Sequence, residues 1–230
     1  MKNIQLFCRN FFEYGGYKDY LKGLGNTAII AVFGLLIGFL LACIIAMVKL
    51  LPSKKIPSTI AKKACDVYIA VFRGTPMVVQ LLLMHFAVFP AIGINVSNVT
   101  EAVIIFGLNS AAYMAEMLRG GINAVDAGQM EAGRSMGLGY GTTMVRIILP
   151  QAIKNILPTL GNEFIALIKE TSVVNLIAVV DVTKSLTSIA ESTYEYFVPY
   201  IVLALTYLVI VLLITWLVKI MERRLQKNER

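Results

Sequence analysis

The sequence is poor in charged residues and in the residue types from which catalytic and redox sites are built. Charged side chains make up 15% of its 230 residues, whereas typical soluble domains contain about 25%. Its three cysteines, Cys8, Cys43 and Cys65, have neither C-x-x-C nor metal-ligand spacing, and an odd number offers no complete disulfide framework. The single histidine, His85, lies on an apolar stretch and is interpreted as a satisfied structural residue rather than a ligand. These features argue against a disulfide scaffold and a metal site.

A phosphate-binding loop of the type G-x-x-x-x-G-K-[ST] is also missing, and no nucleophile–base pattern is evident. We therefore expect the chain not to be an enzyme and to need no cofactor of its own. Any energy from ATP would have to come from a partner subunit that binds ATP and magnesium.

Long uncharged hydrophobic runs dominate the sequence instead. Hydrophobic residues account for 57% of the chain, and residues 23–48 and 196–218 contain no charged side chain. Both runs exceed the roughly 20 residues that a helix needs to cross a bilayer. The net charge of +7 comes from basic residues beside such runs, a pattern of membrane orientation rather than of nucleic-acid binding. The sequence therefore predicts an all-α polytopic membrane protein.

We predict five transmembrane helices. They cover about residues 26–49, 64–89, 100–119, 150–180 and 196–219. The chain is then divided into an N-terminal interfacial or extracytoplasmic segment, a transmembrane domain and a cytoplasmic tail, which are residues 1–22, 23–221 and 222–230. Residues 181–195, with Asp181, Lys184, Glu191 and Glu195, are expected to form an acidic outer loop.

Lysines crowd the loop after the first predicted span. They are Lys49, Lys54, Lys55, Lys62 and Lys63. Because basic residues accumulate on the cytoplasmic side of membrane proteins, this loop is expected inside. Five spans then place the N-terminus outside and the C-terminus in the cytoplasm, although the basic residues of 1–22 run against the rule.

A hydrophilic stretch, residues 131–150, interrupts the hydrophobic runs. Residues 127–136 are compatible with a short helix, in which Glu131 lies near the start, where the helix dipole favours a carboxylate. Gly137 allows a sharp turn because it has no side chain to restrict the backbone. A second short helix is predicted from Tyr140 to Leu149. We expect a helix–turn–helix knob that stands out of the membrane.

The spacing in this knob resembles the EAA motif of ABC importer permeases. The matching positions are Glu131, Ala132, Gly137, Ile147, Leu149 and Pro150, while Gly133 replaces the second alanine of the motif. The resemblance implies a type I importer permease fold in a bacterial cytoplasmic membrane. It also implies that residues 127–149, with Arg134 among them, form a coupling helix segment that docks on an ABC ATPase subunit. Gly133 is expected to cost about 1 kcal/mol of helix propensity without abolishing docking.

Five further matches in order resemble the polar amino acid branch of the same family. They are Arg73-Gly-Thr-Pro76 with Gln80, Ala112-Tyr113 with Glu116, Arg119-Gly-Gly-Ile122, Gly128-Gln129, and Lys169-Glu-Thr-Ser172. The resemblance therefore implies a permease subunit that pairs with a second copy or a sister permease. It also implies an ATPase dimer, an extracytoplasmic solute-binding protein and a small amino acid substrate.

Arg73 is a charged residue inside the second predicted span, beside Gly74 and Pro76. Charges within spans are costly and are candidates for function, and glycine with proline predicts a broken helix, which transporters use at binding sites. Since a guanidinium can hold a carboxylate with two parallel hydrogen bonds, we hypothesise that Arg73 binds the substrate carboxylate, assisted by Thr75. A structural pair with a permease acid, or a lipid headgroup contact, is the alternative.

A second polar group follows helical spacing in the fourth predicted span. It consists of Asn155, Asn162, Glu163, Lys169 and Glu170, which would form one polar stripe. Glu163, with Asn162 beside it, is the candidate for binding a substrate amino or cationic group, and structural pairing is the alternative.

On the third predicted span, Asn109, Tyr113 and Glu116 would face the same interior. Tyr113 is a candidate for the substrate site, and helix–helix hydrogen bonding is the alternative.

The sequence as a whole predicts the permease subunit of an ATP-driven importer for polar amino acids, which forms half of the translocation pathway. Two other readings are a membrane sensor or assembly scaffold without transport, and an ion-coupled carrier. The scaffold leaves Arg73 and Glu163 unexplained, and the carrier leaves the knob unexplained.

Overall fold

The computed structural model describes residues 2–50 and 56–227, and within them the chain is helical without a strand. The main helices are α1 (Lys2–Cys8), α2 (Gly16–Leu50), α3 (Ile56–Gly74), α4 (Met77–Leu83), α5 (Asn98–Asn123), α6 (Ala127–Ser135), α7 (Leu149–Glu170), α8 (Val182–Thr193) and α9 (Phe197–Lys227). The predicted all-α class is confirmed. Lys54 and Lys55 of the predicted cytoplasmic loop lie outside the described residues.

Small residues bring α2 and α5 into close contact at the centre of the molecule. A Cβ atom on Gly38 of α2 would lie 2.9 Å from Ser110 Cβ of α5, and one on Gly107 of α5 would lie 2.7 Å from Ile37 Cγ2. Membrane helices associate through such small residues because their backbones can then approach closely. Helices α3, α4, α7 and α8 contact one or both members of the α2–α5 pair, whereas α9 packs on α7 and α8.

Both α4 and α7 run antiparallel to α5. Gln80 of α4 bonds to Asn109, whereas the later His85 pairs with Glu101, nearer the start of α5. Similarly, Gly121 of α5 lies against Ile156 early in α7, and Glu163 further along α7 bonds to Ser110. The middle of α5 is therefore lined by polar groups from two neighbouring helices.

The second predicted span is broken. The helical stretches Ile56–Gly74 and Met77–Ala91 meet at an angle of 108°, and Pro76, in an extended conformation, precedes α4. Within the described residues, α2, α5 and α9 are long and apolar enough to cross a membrane, and the bent pair makes a fourth candidate. The break predicted from Gly74 and Pro76 is confirmed, while the number of five spans stays a prediction.

Two π-helical segments each precede a proline by two residues. Met84–Val88 precedes Pro90, and Met144–Ile148 precedes Pro150. Proline lacks an amide hydrogen and its ring clashes with the carbonyl four residues earlier, so a wider turn relieves both problems. The predicted second helix of the knob therefore does not end at Leu149. It continues without interruption from Tyr140–Thr143 through the π-helical turn into α7.

The predicted outer segment 181–195 is not an irregular loop, because residues 182–193 form helix α8, while its position outside the membrane stays a prediction. Asp181 caps this helix by accepting hydrogen bonds from the amides of Thr183, at 3.0 Å, and Lys184, at 2.8 Å. Val182, Leu186 and Ile189 follow helical spacing and are buried against residues of α2 and α9. The sequence prediction weighed the acidic residues of this segment and not the helical spacing of its apolar residues.

Gly23 on α2 is predicted to be needed for the packing of α8. A Cβ atom there would lie 2.5 Å from the backbone oxygen of Asp181, whereas a Cβ on Gly25 would meet nothing within 4 Å. Because backbone cannot move aside cheaply, Gly23→Ala is expected to destabilise the fold by about 1–3 kcal/mol. Gly25→Ala, the matched control, should be neutral or gain up to about 1 kcal/mol from helix propensity. Thermal unfolding in detergent measures both, and equal midpoints for the two variants would refute the close packing.

Candidate functional site

The knob begins and ends with recognisable caps. Asp126 accepts a hydrogen bond from the Gly128 amide at 2.6 Å, next to the first turn of α6. At the other end Gly137 has φ of +84°, and the amides of Gly137 and Leu138 donate to the carbonyls of Arg134 and Gly133 at 3.0 and 3.1 Å. This pair of hydrogen bonds forms a Schellman cap, which favours glycine at the position with left-handed backbone conformation. Gly137 therefore makes the sharp turn that was predicted.

Gly133 is the residue through which the two parts of the knob touch. It is buried, and a Cβ there would lie 2.5 Å from Thr143 Cγ2 and 2.9 Å from Thr143 Oγ1. Thr143 is itself fully buried and donates a hydrogen bond to the Gly139 carbonyl at 3.1 Å. The departure from the motif at Gly133 is thus a packing requirement, and not only a loss of helix propensity.

The other predicted coupling residues are divided between an exposed surface and the base of the knob. Glu131, Ala132 and Arg134 are exposed on α6. The exposed apolar side chains beside them are Met136, Leu138, Tyr140 and Val145, of which Met136 is 84% exposed. Ile147 and Leu149 are half-buried at the base, and Pro150 is exposed there. A surface that combines apolar side chains with a few charges is suited to docking another protein.

Arg73 lies at the end of α3, next to the helix break. Its guanidinium carbon is 5.5 Å from the centre of the Tyr113 ring, a distance within the range of cation–π contacts. Its Nη1 is 4.0 Å from Glu116 Oε2, and 45% of the side chain is exposed. The structure therefore brings Arg73 and Tyr113 together and leaves almost half of the Arg73 side chain exposed.

Gln80 holds the helix break together. Its Nε2 lies 2.8 Å from the Phe72 carbonyl, 2.9 Å from the Thr75 carbonyl and 2.8 Å from Thr75 Oγ1. Its Oε1 accepts a hydrogen bond from Asn109 Nδ2 at 2.8 Å. Gln80 is buried and satisfies carbonyls that the end of α3 leaves without helical partners. Thr75 is thereby held beside Arg73.

Sequence reasoning used Gln80 only as part of a family match and assigned it no role in a site. A lone amide side chain five residues after Thr75, in an otherwise apolar run, was the available signal.

Glu163 faces α5, away from its polar neighbours on α7. Its Oε1 accepts a hydrogen bond from Ser110 Oγ at 2.9 Å, and only 9% of the residue is exposed. The other members of the predicted stripe, Asn155, Asn162, Lys169 and Glu170, are exposed. The stripe is therefore split, and the structure does not bring Asn162 and Glu163 to one surface.

Glu116 joins charged groups from three helices, which we call the Glu116 cluster. Its members are Lys49, Asp66, Arg73, Glu116 and Arg119. Arg119 bonds to Glu116 Oε2 at 2.6 and 3.0 Å, and Lys49 bonds to Glu116 Oε1 at 3.3 Å and to Asp66 at 2.9 Å.

Sequence reasoning offered a pair between Arg73 and a permease acid as the alternative role of Arg73, but it missed the full cluster because Lys49 was assigned to the cytoplasmic loop. The spacing of Glu116 and Arg119, three residues apart on one helix, was the available signal.

His85 has a hydrogen-bonding partner, as was predicted for a structural residue. Its Nδ1 pairs with Glu101 Oε2 at the start of α5. The pair ties the π-helical segment Met84–Val88 to α5.

Known proteins resemble this chain over most of its length. The family described as the binding-protein-dependent transport system inner membrane component matches residues 34–227. The arginine transport system permease protein ArtQ of Bacillus subtilis is 39% identical over 209 residues, which cover 91% of this chain and 93% of ArtQ. The putative glutamine transport system permease protein GlnP of Rickettsia bellii is 40% identical over 202 residues, 88% of each chain.

Two solved structures share the fold. An amino acid ABC transporter crystallised with histidines has a TM-score of 0.82 at 40% identity, covering 94% of this chain and 97% of that one. The MetNI methionine ABC transporter, in an inward-facing conformation, has a TM-score of 0.75 at 14% identity, covering 89% and 95%. At that identity the second likeness concerns the fold alone.

Proposed function

Because the chain belongs to the family of binding-protein-dependent inner membrane components, the permease subunits of ABC importers, we propose that its own cargo is a polar amino acid that Arg73 and Glu163 bind. A permease of this family works with a separate ATPase subunit, which hydrolyses the ATP, and with a solute-binding protein. Relatives named for arginine and glutamine transport support an amino acid as cargo.

The observation that carries the proposed site is the arrangement of opposite charges along α5. Arg73 lies over Tyr113, and Glu163 bonds to Ser110, three positions earlier on the same helix. Three residues correspond to about 4.5 Å along a helix axis. We infer that a zwitterionic amino acid binds between these two groups, with its carboxylate towards Arg73 and its amino or cationic group towards Glu163.

The surroundings of the buried Glu163 carboxyl group support the same assignment. Among the residues that the structure describes, Glu163 has no salt-bridge partner, and its only side-chain hydrogen bond comes from Ser110. A buried carboxylate without a cation is costly inside a membrane protein. A cationic substrate group would compensate the charge. Thr75 and Tyr113 would complete the contacts around the substrate carboxylate.

A second permease would complete the translocation pathway. The exposed polar residues of α7, Asn155, Asn162 and Lys169, are unsuited to lipid. They would face a water-filled pathway or another permease, either a second copy or a sister subunit, and Asn162 would contact the substrate along that pathway rather than beside Glu163. We propose that the chain crosses the membrane five times, with its N-terminus outside and its C-terminus in the cytoplasm. The knob and the lysine-rich loop would then both lie on the cytoplasmic side.

The exposed surface of the knob would dock on the ATPase subunit. Glu131, Ala132 and Arg134 lie at its centre, and Gly133, Gly137, Ile147, Leu149 and Pro150 hold its shape. Closure of an ATPase pair would then be transmitted directly to α7, because the second part of the knob is continuous with that helix.

The test is amino acid uptake and ATPase activity in proteoliposomes that contain the chain with its ATPase partner. Binding proteins loaded with L-arginine or L-glutamine are supplied in turn. Stimulation of ATP hydrolysis and uptake by one of them is expected. A chain that associates with no ATPase would instead act as a scaffold, and uptake driven by an ion gradient without ATP would make it a carrier.

Arg73→Gln is predicted to lower the affinity for the transported amino acid at least ten-fold, because it removes the charged fork that binds the carboxylate. Arg73→Lys should recover part of the affinity, since it restores the charge but not the two parallel hydrogen bonds. The charge-matched control is Lys184→Gln on α8, a half-exposed residue that pairs with Glu191 at 3.7 Å. Equal KM values for wild type and Arg73→Gln would refute the carboxylate assignment.

A further inference from the structure

Arg73 is the least firmly held cation of the Glu116 cluster. Arg119 makes two hydrogen bonds to Glu116 Oε2, at 2.6 and 3.0 Å, and Lys49 bonds to Oε1 at 3.3 Å. Arg73 approaches Oε2 only to 4.0 Å, and it has almost half of its side chain exposed. Contacts of this kind are weak and readily exchanged.

Both oxygens of Glu116 are occupied even without Arg73. When Arg73 moves away, Arg119 still holds Oε2 and Lys49 still holds Oε1. The departure of Arg73 therefore leaves no unpaired carboxylate in the half-buried interior, which is the usual penalty for breaking such a pair. Arg73 can change partners at little cost to the fold.

The cluster also has an excess of positive charge. Its contacts join three cations, Lys49, Arg73 and Arg119, to two carboxylates, Asp66 and Glu116. One more carboxylate would balance the charges. The open donors of Arg73, at the helix break and over the Tyr113 ring, are the place where it would bind.

We propose that Glu116 competes with the carboxylate of the transported amino acid for binding to Arg73. With the site empty, Glu116 attracts the Arg73 guanidinium; when the amino acid arrives, its carboxylate takes Arg73 and Glu116 remains with Lys49 and Arg119. This inference rests on the proposed role of Arg73 in binding substrate. Glu116 thereby weakens binding and favours release, since a site that is only partly available has a proportionally lower apparent affinity.

The experiment measures equilibrium binding of radiolabelled L-arginine, and in parallel L-glutamine, to the complete transporter complex in detergent. Glu116→Gln removes the competing charge and keeps the shape of the side chain. It is expected to lower the apparent Kd about two- to five-fold, which is the range for an exposed ion pair. It should also slow turnover, because the substrate is released less readily.

Asp66→Asn is the matched control. It removes the same charge from the same cluster, but from a carboxylate bonded to Lys49 and not to Arg73. Direct competition predicts tighter binding only for Glu116→Gln, whereas a general change in charge predicts it for both variants. The amide of the bound amino acid, which lacks the carboxylate, should bind equally well to wild type and Glu116→Gln.

The outcomes separate this inference from the proposed function. Unchanged or weaker binding in a folded Glu116→Gln complex, with binding weakened by Arg73→Gln, overturns the competition alone. Unchanged binding in Arg73→Gln overturns the carboxylate site itself. If Glu116→Gln does not assemble, Glu116→Asp keeps the charge for Lys49 and Arg119 but draws it back from Arg73, and the same tightening is expected.

Discussion

Gly133→Val is expected to reduce ATP-driven uptake by more than ten-fold. Any side chain at this position meets Thr143, whose Cγ2 would lie 2.5 Å from the new Cβ. The larger branched side chain would push α6 away from the helix that continues into α7, so that a docked ATPase subunit could no longer move the spans. Uptake into proteoliposomes and co-purification of the ATPase subunit are the two measurements.

A pair of substitutions tests whether Thr143 is the cause. Gly133→Ala alone should reduce coupling, and Thr143→Ala in the same chain should restore much of it, because the two close atoms, Cγ2 and Oγ1, are then gone and the Thr143 Cβ lies 3.3 Å away. Gly141→Ala is the control on the same knob, since its Cβ would meet nothing within 4 Å. Equal loss in Gly133→Ala with and without Thr143→Ala would contradict the packing explanation.

Glu163→Gln is expected to reduce uptake of a cationic amino acid by ten-fold or more while knob docking and basal ATP hydrolysis stay normal. Glutamine keeps the length of the side chain and an oxygen that accepts the Ser110 hydrogen bond, but it carries no charge. The effect should therefore appear as a higher KM. If Glu163 binds a cationic side chain, uptake of L-arginine should fall more than uptake of L-glutamine.

Ser110→Ala is the control for Glu163. It removes the hydrogen bond to Glu163 but leaves the charge, so it should change KM much less than Glu163→Gln does. An unchanged KM for Glu163→Gln would reject direct substrate contact. In that case Glu163 has a structural role, which lower thermal stability of both variants would indicate.

Local sequence patterns were sufficient for some elements and misleading for others. The break at Gly74 and Pro76 and the turn at Gly137 were predictable, because glycine and proline restrict or free the backbone wherever they occur. Helix α8 was missed because charges at its surface outweighed the apolar spacing of the buried residues. The polar stripe on α7 was predicted as one surface, although α5 draws Glu163 alone inwards.

The sequence by itself determined the membrane class, the all-α fold, the knob and the presence of charged groups within the spans. The length of hydrophobic runs, the density of charged residues and backbone preferences are properties of short stretches, so they can be recognised in the sequence without knowing the fold. Only the tertiary structure decided that Gly133 packs on Thr143, that Gln80 secures the helix break and that Arg73, Lys49 and Arg119 share the Glu116 carboxylate. These contacts depend on distances between helices that are far apart in the chain, and small residues at the α2–α5 contact set how closely those helices approach.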